Sequence, residues 1–134
     1  MAGILLVVFP TVIYGSVSLL GLLIDGSPGY VDNPIRRSLW RAGHAHAGIL
    51  LILALLLLRY LDEARLPRPL VVAVRYATAL AAVLVPAAFF LSVASPVAQK
   101  PNSLIYLAYA GAVVLTLAMV TLGIGLLRAG RDER

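Results

Sequence analysis

The sequence contains no cysteine, which excludes disulfide bonds, thiolate metal sites and cysteine nucleophiles. It is also poor in charge, because only 13% of its 134 residues are charged, whereas a soluble domain has about 25%. With 61% of the residues hydrophobic, too few polar side chains remain to cover a globule in water. Lipid removes that requirement, so the composition predicts an all-α membrane protein with a single domain over residues 1–134.

Acidic residues are also scarce, and none lies within an apolar run. The six of them fall in predicted loops or in the tail: Asp25, Asp32, Asp62, Glu63, Asp132 and Glu133. Their absence from the spans counts against a proton-coupled carrier. No nucleophile–base set is visible either, so an enzyme is the least supported functional class.

Four apolar segments are long enough to cross a bilayer core, which takes about 20 helical residues. The predicted spans are residues 3–24, 39–61, 70–94 and 103–127. Their short connections predict an antiparallel four-helix bundle in which consecutive spans are neighbours. The first run follows no basic segment and precedes no A-x-A pattern, so we expect a span rather than a signal peptide. Asn33 and Pro34 predict the N-cap and first residue of the second helix.

The net charge of +5 comes from basic residues in short segments beside apolar runs. That placement is typical of membrane topology and does not favour nucleic-acid binding. Seven Lys and Arg residues share a side with the N-terminus, the middle loop and the tail, and four lie on the other side. The lipid bilayer is therefore the expected surrounding. The count predicts a multi-pass plasma-membrane protein with both termini in the cytoplasm.

His44 and His46 are the only histidines, and they lie about one to two turns inside the outer end of the second span. An ionisable side chain within a span usually faces the bundle interior and often has a function. Residues two apart are separated by about 200° on a helix, so a regular helix does not direct both at one metal ion. We expect His44 to point into the bundle and His46 towards a subunit contact or the fourth helix.

Other polar side chains are predicted at the depth of the histidines, and they are candidate partners of a bound ligand. These are Ser16, Arg41, Ser92, Tyr106 and Tyr109. Small residues four apart accompany them, Gly43 with Ala47 and Ala108 with Ala112. Two interpretations of this spacing stay open: close helix packing, or room beside a histidine for a flat ligand such as haem or a quinone head.

The His-x-His pattern lies near the outer start of a Leu-rich span and is followed by Gly48. It resembles short histidine motifs in membrane haem proteins similar to oxidase subunit I, and it is also similar to small bacterial four-span membrane proteins of unassigned function. The resemblance implies haem or a divalent metal as cofactor, with His44 and His46 as ligands. Such haem proteins take a histidine from a second span. This chain has none there, so the resemblance implies a five-coordinate haem or one shared between subunits.

Three functions remain open from the sequence. The first is a redox-linked protein that binds haem, a metal or a quinone at the histidine site. The second is a structural or accessory protein, as a homo-oligomer or a subunit of a membrane complex, in which the histidines are packing residues. The third is a small transporter or proton path in which the histidines relay protons.

Overall fold

The computed structural model describes residues 1–132, with side-chain environments for residues 1–130, and this part of the chain is helical without any strand. Helix α1 spans Ala2–Ile24, α2 spans Pro34–Leu61, α3 spans Arg68–Leu91 and α4 spans Tyr106–Asp132. A 3₁₀ turn at Ser103–Ile105 precedes α4. Each of the four helices is long and apolar enough to cross a membrane. The predicted all-α fold is confirmed, and Arg134, counted above for orientation, lies outside the described residues.

The start of α2 and the end of α3 are both fixed by asparagine side chains. Asn33 accepts a hydrogen bond from the backbone N–H of Arg36 at 3.0 Å, and Pro34 follows, as predicted for a helix start. Helix α3 ends at Leu91, earlier than the predicted span end at residue 94. Asn102 explains the difference, because its backbone and side chain donate to the carbonyls of Ser92 at 2.9 Å and Leu91 at 3.3 Å. These carbonyls are therefore satisfied without a further helical turn.

Consecutive helices pack side by side, as the short connections predict. Helix α3 lies between α2 and α4 and contacts both extensively. Helix α1 lies at the edge, where it packs mainly against α2, and Leu5 is its single fully buried residue. The side of α1 that points away from α2 is therefore not covered by another helix, and most residues of α1 are not buried.

The core consists of two apolar clusters. One joins α1, α2 and α3 and contains Leu5, Leu51, Ala54 and Ala82. The other joins the end of α2 to α3 and α4 and contains Leu61, Val74, Ala118 and Leu122. Neither cluster contains a histidine. The two clusters therefore lie at other levels of the bundle than the histidines.

The first and third loops, residues 25–33 and 92–102, meet at one end of the bundle, here called the two-loop end. Beyond its cap, the Asn33 amide donates to the carbonyl oxygens of Pro96 at 3.1 Å and Ala98 at 2.9 Å. Asn33 is buried, so these bonds are shielded from water. We call this set of bonds the loop–loop contact.

Arg36 reinforces the loop–loop contact from the first turn of α2. Its guanidinium donates to the carbonyl oxygens of Gly29 at 2.9 Å and Ala94 at 3.1 Å. The same group lies 3.9 Å from the centre of the Trp40 ring, which is a cation–π geometry. Trp40 in turn donates from its indole nitrogen to the carbonyl of Phe90 at 3.3 Å. The two-loop end is therefore a connected polar layer that holds the start of α2 beside the end of α3.

Candidate functional site

The two histidines contact different neighbouring helices. His44 lies against α1, where its Nε2 and the Ser16 hydroxyl oxygen are 2.7 Å apart. His46 lies against α3, with its ring centre 5.0 Å from that of Phe89. The structure does not bring the two rings together on one ligand. Within the described residues, no group of three or more His, Asp or Glu side chains is arranged to hold a metal ion.

His46 is held in one tautomer by its own helix. Its Nδ1 lies 2.7 Å from the carbonyl oxygen of Ala42, one turn earlier on α2. A carbonyl oxygen only accepts hydrogen bonds, so Nδ1 carries the proton and donates it. In the neutral ring, Nε2 then has a free lone pair. Nε2 has no hydrogen-bond partner among the residues that the structure describes.

A groove with a volume of about 400 Å³ opens beside His46, between α2, α3 and α4. It is lined by His46, Leu50, Val85, Phe89, Ile105, Ala108, Tyr109, Ala112 and Leu115. Apart from the imidazole and the phenol, this lining is apolar. Ala108 and Ala112 lie one turn apart on α4, and their small side chains leave the space into which His46 faces. His46 is exposed within this open groove.

Glycines bring α2 close to both of its neighbours near the histidines. A Cβ added at Gly43 would lie 3.0 Å from the Cβ of Phe89, so this position is closely packed against α3. A Cβ added at Gly15 would lie 3.2 Å from Nδ1 of His44, so the His44 ring lies directly against the backbone of α1. The two interpretations of the small residues thus apply to different places. Gly43 serves packing, whereas the alanines of α4 line the groove.

The remaining predicted site residues are distributed over several places. Tyr109 lines the groove, and Tyr106 lies next to it with ring centres 6.1 Å apart, although both tyrosines are largely exposed. Ser92 is buried just after α3 and donates to the carbonyl of Phe89 near the end of that helix at 3.4 Å, so it does not reach a histidine. Arg41 lines a different cavity, between α1 and α2.

Sequence reasoning missed the roles of Tyr30 and Arg36. Tyr30 is only 3% exposed, and its ring centre lies 6.0 Å from that of Trp40. Arg36 was counted for its charge alone, although it binds two loop carbonyls. One signal was present in the sequence, because Arg36 and Trp40 are four residues apart and therefore share a helix face.

Comparison of the chain with protein-family models, with curated proteins and with solved structures gives no match. A functional argument for this chain therefore rests on its own residues and their geometry.

Proposed function

We propose that the protein binds a lipid-soluble quinol in the groove between α2, α3 and α4, with Nε2 of His46 accepting a hydrogen bond from a ligand hydroxyl. One observation carries the proposal. His46 lines an open, mainly apolar groove, and the hydrogen bond from its Nδ1 to Ala42 leaves Nε2 without a partner among the described residues. Quinols carry reducing equivalents within the bilayer, so the proposed role is redox-linked.

The lining of the groove suits a flat ring with a polar edge. Phe89 offers an aromatic face beside His46, and Ala108 and Ala112 leave room for a ring of small thickness. A few directed polar groups in a mainly apolar cleft are typical of small-molecule sites. The groove is open, so a ligand dissolved in the bilayer reaches it laterally.

Haem and a single metal ion fit this lining less well. Nε2 of His46 has the chemistry of an axial ligand, since its ring is oriented by a hydrogen bond from the other nitrogen. However, the groove residues include no cationic side chain to pair with haem carboxylates and no second imidazole. A hydroxyl-bearing ring needs neither, so the residues favour the quinol.

A structural role is the second candidate function, and the contacts of His44 with α1 favour it. The Ser16 hydroxyl satisfies a nitrogen of its ring, and the ring is pressed against Gly15. A histidine hydrogen-bonded between two helices stabilises their packing without any ligand. In this reading the protein is an accessory component of a membrane complex or a homo-oligomer. The two readings differ in what they expect of His46, which has no such interhelical bond.

We further propose that the groove lies towards the outer leaflet of the plasma membrane, with both termini cytoplasmic. The basis is the Lys and Arg count, which is seven against four. Two of the four cations on the proposed outer side, Arg36 and Arg37, donate to carbonyls of the first loop, Gly29 and Val31. Their presence on that side therefore has a structural reason that is separate from membrane topology.

The test is a calorimetric titration of the purified protein in nanodiscs. The probes are a short-chain benzoquinol and its dimethyl ether, which has the same ring but no hydroxyl donor. We expect the quinol to bind about tenfold more tightly than the ether, as one hydrogen bond of about 1.4 kcal/mol requires. His46→Ala should abolish this preference, whereas His44→Ala should retain it.

A second pair of variants tests the groove itself. Ala108→Leu fills it, whereas Ala110→Leu adds the same volume at an exposed position outside the groove. Only the first should weaken quinol binding. Equal affinity for the two probes, or a preference that survives His46→Ala, would leave the structural role as the better account. If the purified protein shows an absorption band of haem that His46→Ala abolishes, the ligand of the groove is haem and not a quinol.

A further inference from the structure

A second cavity, of about 260 Å³, lies between α1 and α2 at the two-loop end. It shares no residue with the groove at His46. Its lining consists of Leu19, Leu20, Leu23, Tyr30, Arg37 and Arg41. The leucines come from the last turns of α1 and form an apolar wall, and the polar side chains come from the start of α2 and the loop before it.

The cavity carries positive charge without an internal counter-ion. Arg37 and Arg41 are four residues apart and so lie on one face of α2, where like charges destabilise the helix. In the described part of the chain, no carboxylate lies within ion-pair distance of either guanidinium. The Arg37 guanidinium donates once, to the carbonyl of Val31 at 3.2 Å, and the Arg41 guanidinium makes no hydrogen bond within the described part of the chain. Most of their N–H groups are therefore available to an anion.

Tyr30 adds an unused donor to the same cavity. Its side chain is almost fully buried, and its ring is held beside Trp40. Its hydroxyl has no hydrogen-bond partner among residues 1–130. Among the described residues, Arg36 Nε is the one buried side-chain nitrogen or oxygen atom without a partner, so the Tyr30 hydroxyl is not sealed off and can donate to an acceptor in the cavity. An acceptor from outside the chain, placed between Tyr30 and the arginines, would satisfy all three groups.

We propose that this cavity binds the phosphate group of an anionic phospholipid. Arg37, Arg41 and the Tyr30 hydroxyl donate to its oxygens, and an acyl chain lies along the leucines of α1. Guanidinium groups bind phosphate with paired, charge-assisted hydrogen bonds. An anionic headgroup is favoured over a zwitterionic one, because the ammonium group of the latter would approach two uncompensated cations.

The apolar wall favours a membrane lipid over free phosphate. Leu20 and Leu23 are 55% and 53% exposed and continue the cavity onto the outer face of α1. A phospholipid can place its headgroup at the arginines and its acyl chain on this surface at the same time, whereas free phosphate makes only the first contact. The bound lipid would also link α1 to α2, which matters because α1 buries little against the rest of the bundle.

Native mass spectrometry of the detergent-purified protein tests this proposal with phosphatidylglycerol and phosphatidylcholine of identical acyl chains. We expect phosphatidylglycerol to bind at least about tenfold more tightly, equivalent to about 1.4 kcal/mol. Arg41→Gln should remove that advantage. Tyr30→Phe keeps the buried ring and should weaken binding about fivefold, as expected for one hydrogen bond. Arg59→Gln is the matched control, since Arg59 is exposed at the opposite end of α2 and should leave binding unchanged.

Thermal unfolding provides an independent readout and checks that each variant is folded. Phosphatidylglycerol should raise the unfolding temperature of the original protein and of Arg59→Gln, but not that of Arg41→Gln. Inorganic phosphate alone should have no effect. Equal binding of the two lipids, or binding that is unaffected by Arg41→Gln, would overturn the proposal. Stabilisation by inorganic phosphate as large as that by the lipid would overturn the lipid as the source of the phosphate.

Discussion

Ser16 of α1 and His44 of α2 are joined by a hydrogen bond of 2.7 Å. It is the one hydrogen bond between these two helices among the described residues, and α1 otherwise relies on apolar contacts such as that of Leu5. The free energy of this single bond is therefore expected to contribute to the stability of the packing between α1 and α2.

The bond should be measurable as a coupling between the two side chains. Hydrogen bonds between membrane helices contribute about 0.6 kcal/mol on average and rarely exceed about 1.7 kcal/mol. We expect a coupling in that range from a double-mutant cycle of Ser16→Ala and His44→Ala, with the free energy of unfolding measured in mixed micelles. Additive effects of the two substitutions would show that the contact contributes nothing to stability.

Asn33 should prove to have two separable roles, helix capping and loop attachment. Asn33→Ala removes the cap bond to Arg36 and both bonds to the third loop, so we expect a loss of about 1–3 kcal/mol in the free energy of unfolding. Asn33→Ser keeps a capping oxygen but has no amide to reach Pro96 and Ala98. It should therefore fall between alanine and the original residue. A serine variant as stable as the original protein would mean that the loop bonds are energetically neutral.

Two glycines of the first loop offer a matched comparison. Gly26 and Gly29 both have a positive φ, 61° and 75°, which is unfavourable for a residue with a side chain. A Cβ at Gly26 meets nothing within 4 Å, whereas at Gly29 it would lie 2.6 Å from the Cβ of Pro96. Gly26→Ala should lower the free energy of unfolding by about 1–2 kcal/mol, from the unfavourable backbone conformation alone.

Gly29→Ala should lower the free energy of unfolding more than Gly26→Ala, because the added Cβ also pushes the first loop away from the third. Thermal unfolding of both variants checks the order, and equal losses would argue against close contact at Pro96. Trp40 provides a second readout, since it is the only tryptophan and lies under Arg36 at this end. Its fluorescence should change in Gly29→Ala and stay unchanged in Gly26→Ala.

The proposed orientation can be tested without background labelling, because the chain has no cysteine. A membrane-impermeant maleimide added to intact cells should react with Ser27→Cys in the first loop and spare Arg128→Cys near the end of α4. Ser27 is partly exposed and Arg128 is exposed, and both should react after the cells are lysed. The opposite pattern in intact cells would place the termini outside.

The features that the sequence predicted well are those set by local physics. The four helices follow from apolar runs of bilayer length and from turn residues between them, such as Asn33 and Pro34. The divergence of His44 and His46 follows from helix geometry alone. In the structure His46 lines the groove beside α4, and His44 contacts Ser16 of α1 at the edge of the bundle.

The features that it did not predict depend on the relative placement of helices. The spacing of Ala108 and Ala112 did not decide between close packing and a groove, because that depends on where α4 lies relative to α2 and α3. The contact between the first and third loops joins Asn33 to Ala98, which is 65 residues later in the sequence. Tyr30 lies in the loop before α2, and its burial beside Trp40 depends on the fold.

The loop–loop contact also sets an order of events during biosynthesis. Asn33 and Arg36 emerge with the start of the second span, but their acceptors Ala94, Pro96 and Ala98 emerge only after the third. Until then, the Asn33 side chain has only its capping bond to Arg36, and the Arg36 guanidinium has only its bond to Gly29. The two-loop end therefore reaches its full set of hydrogen bonds only after the third span has been made.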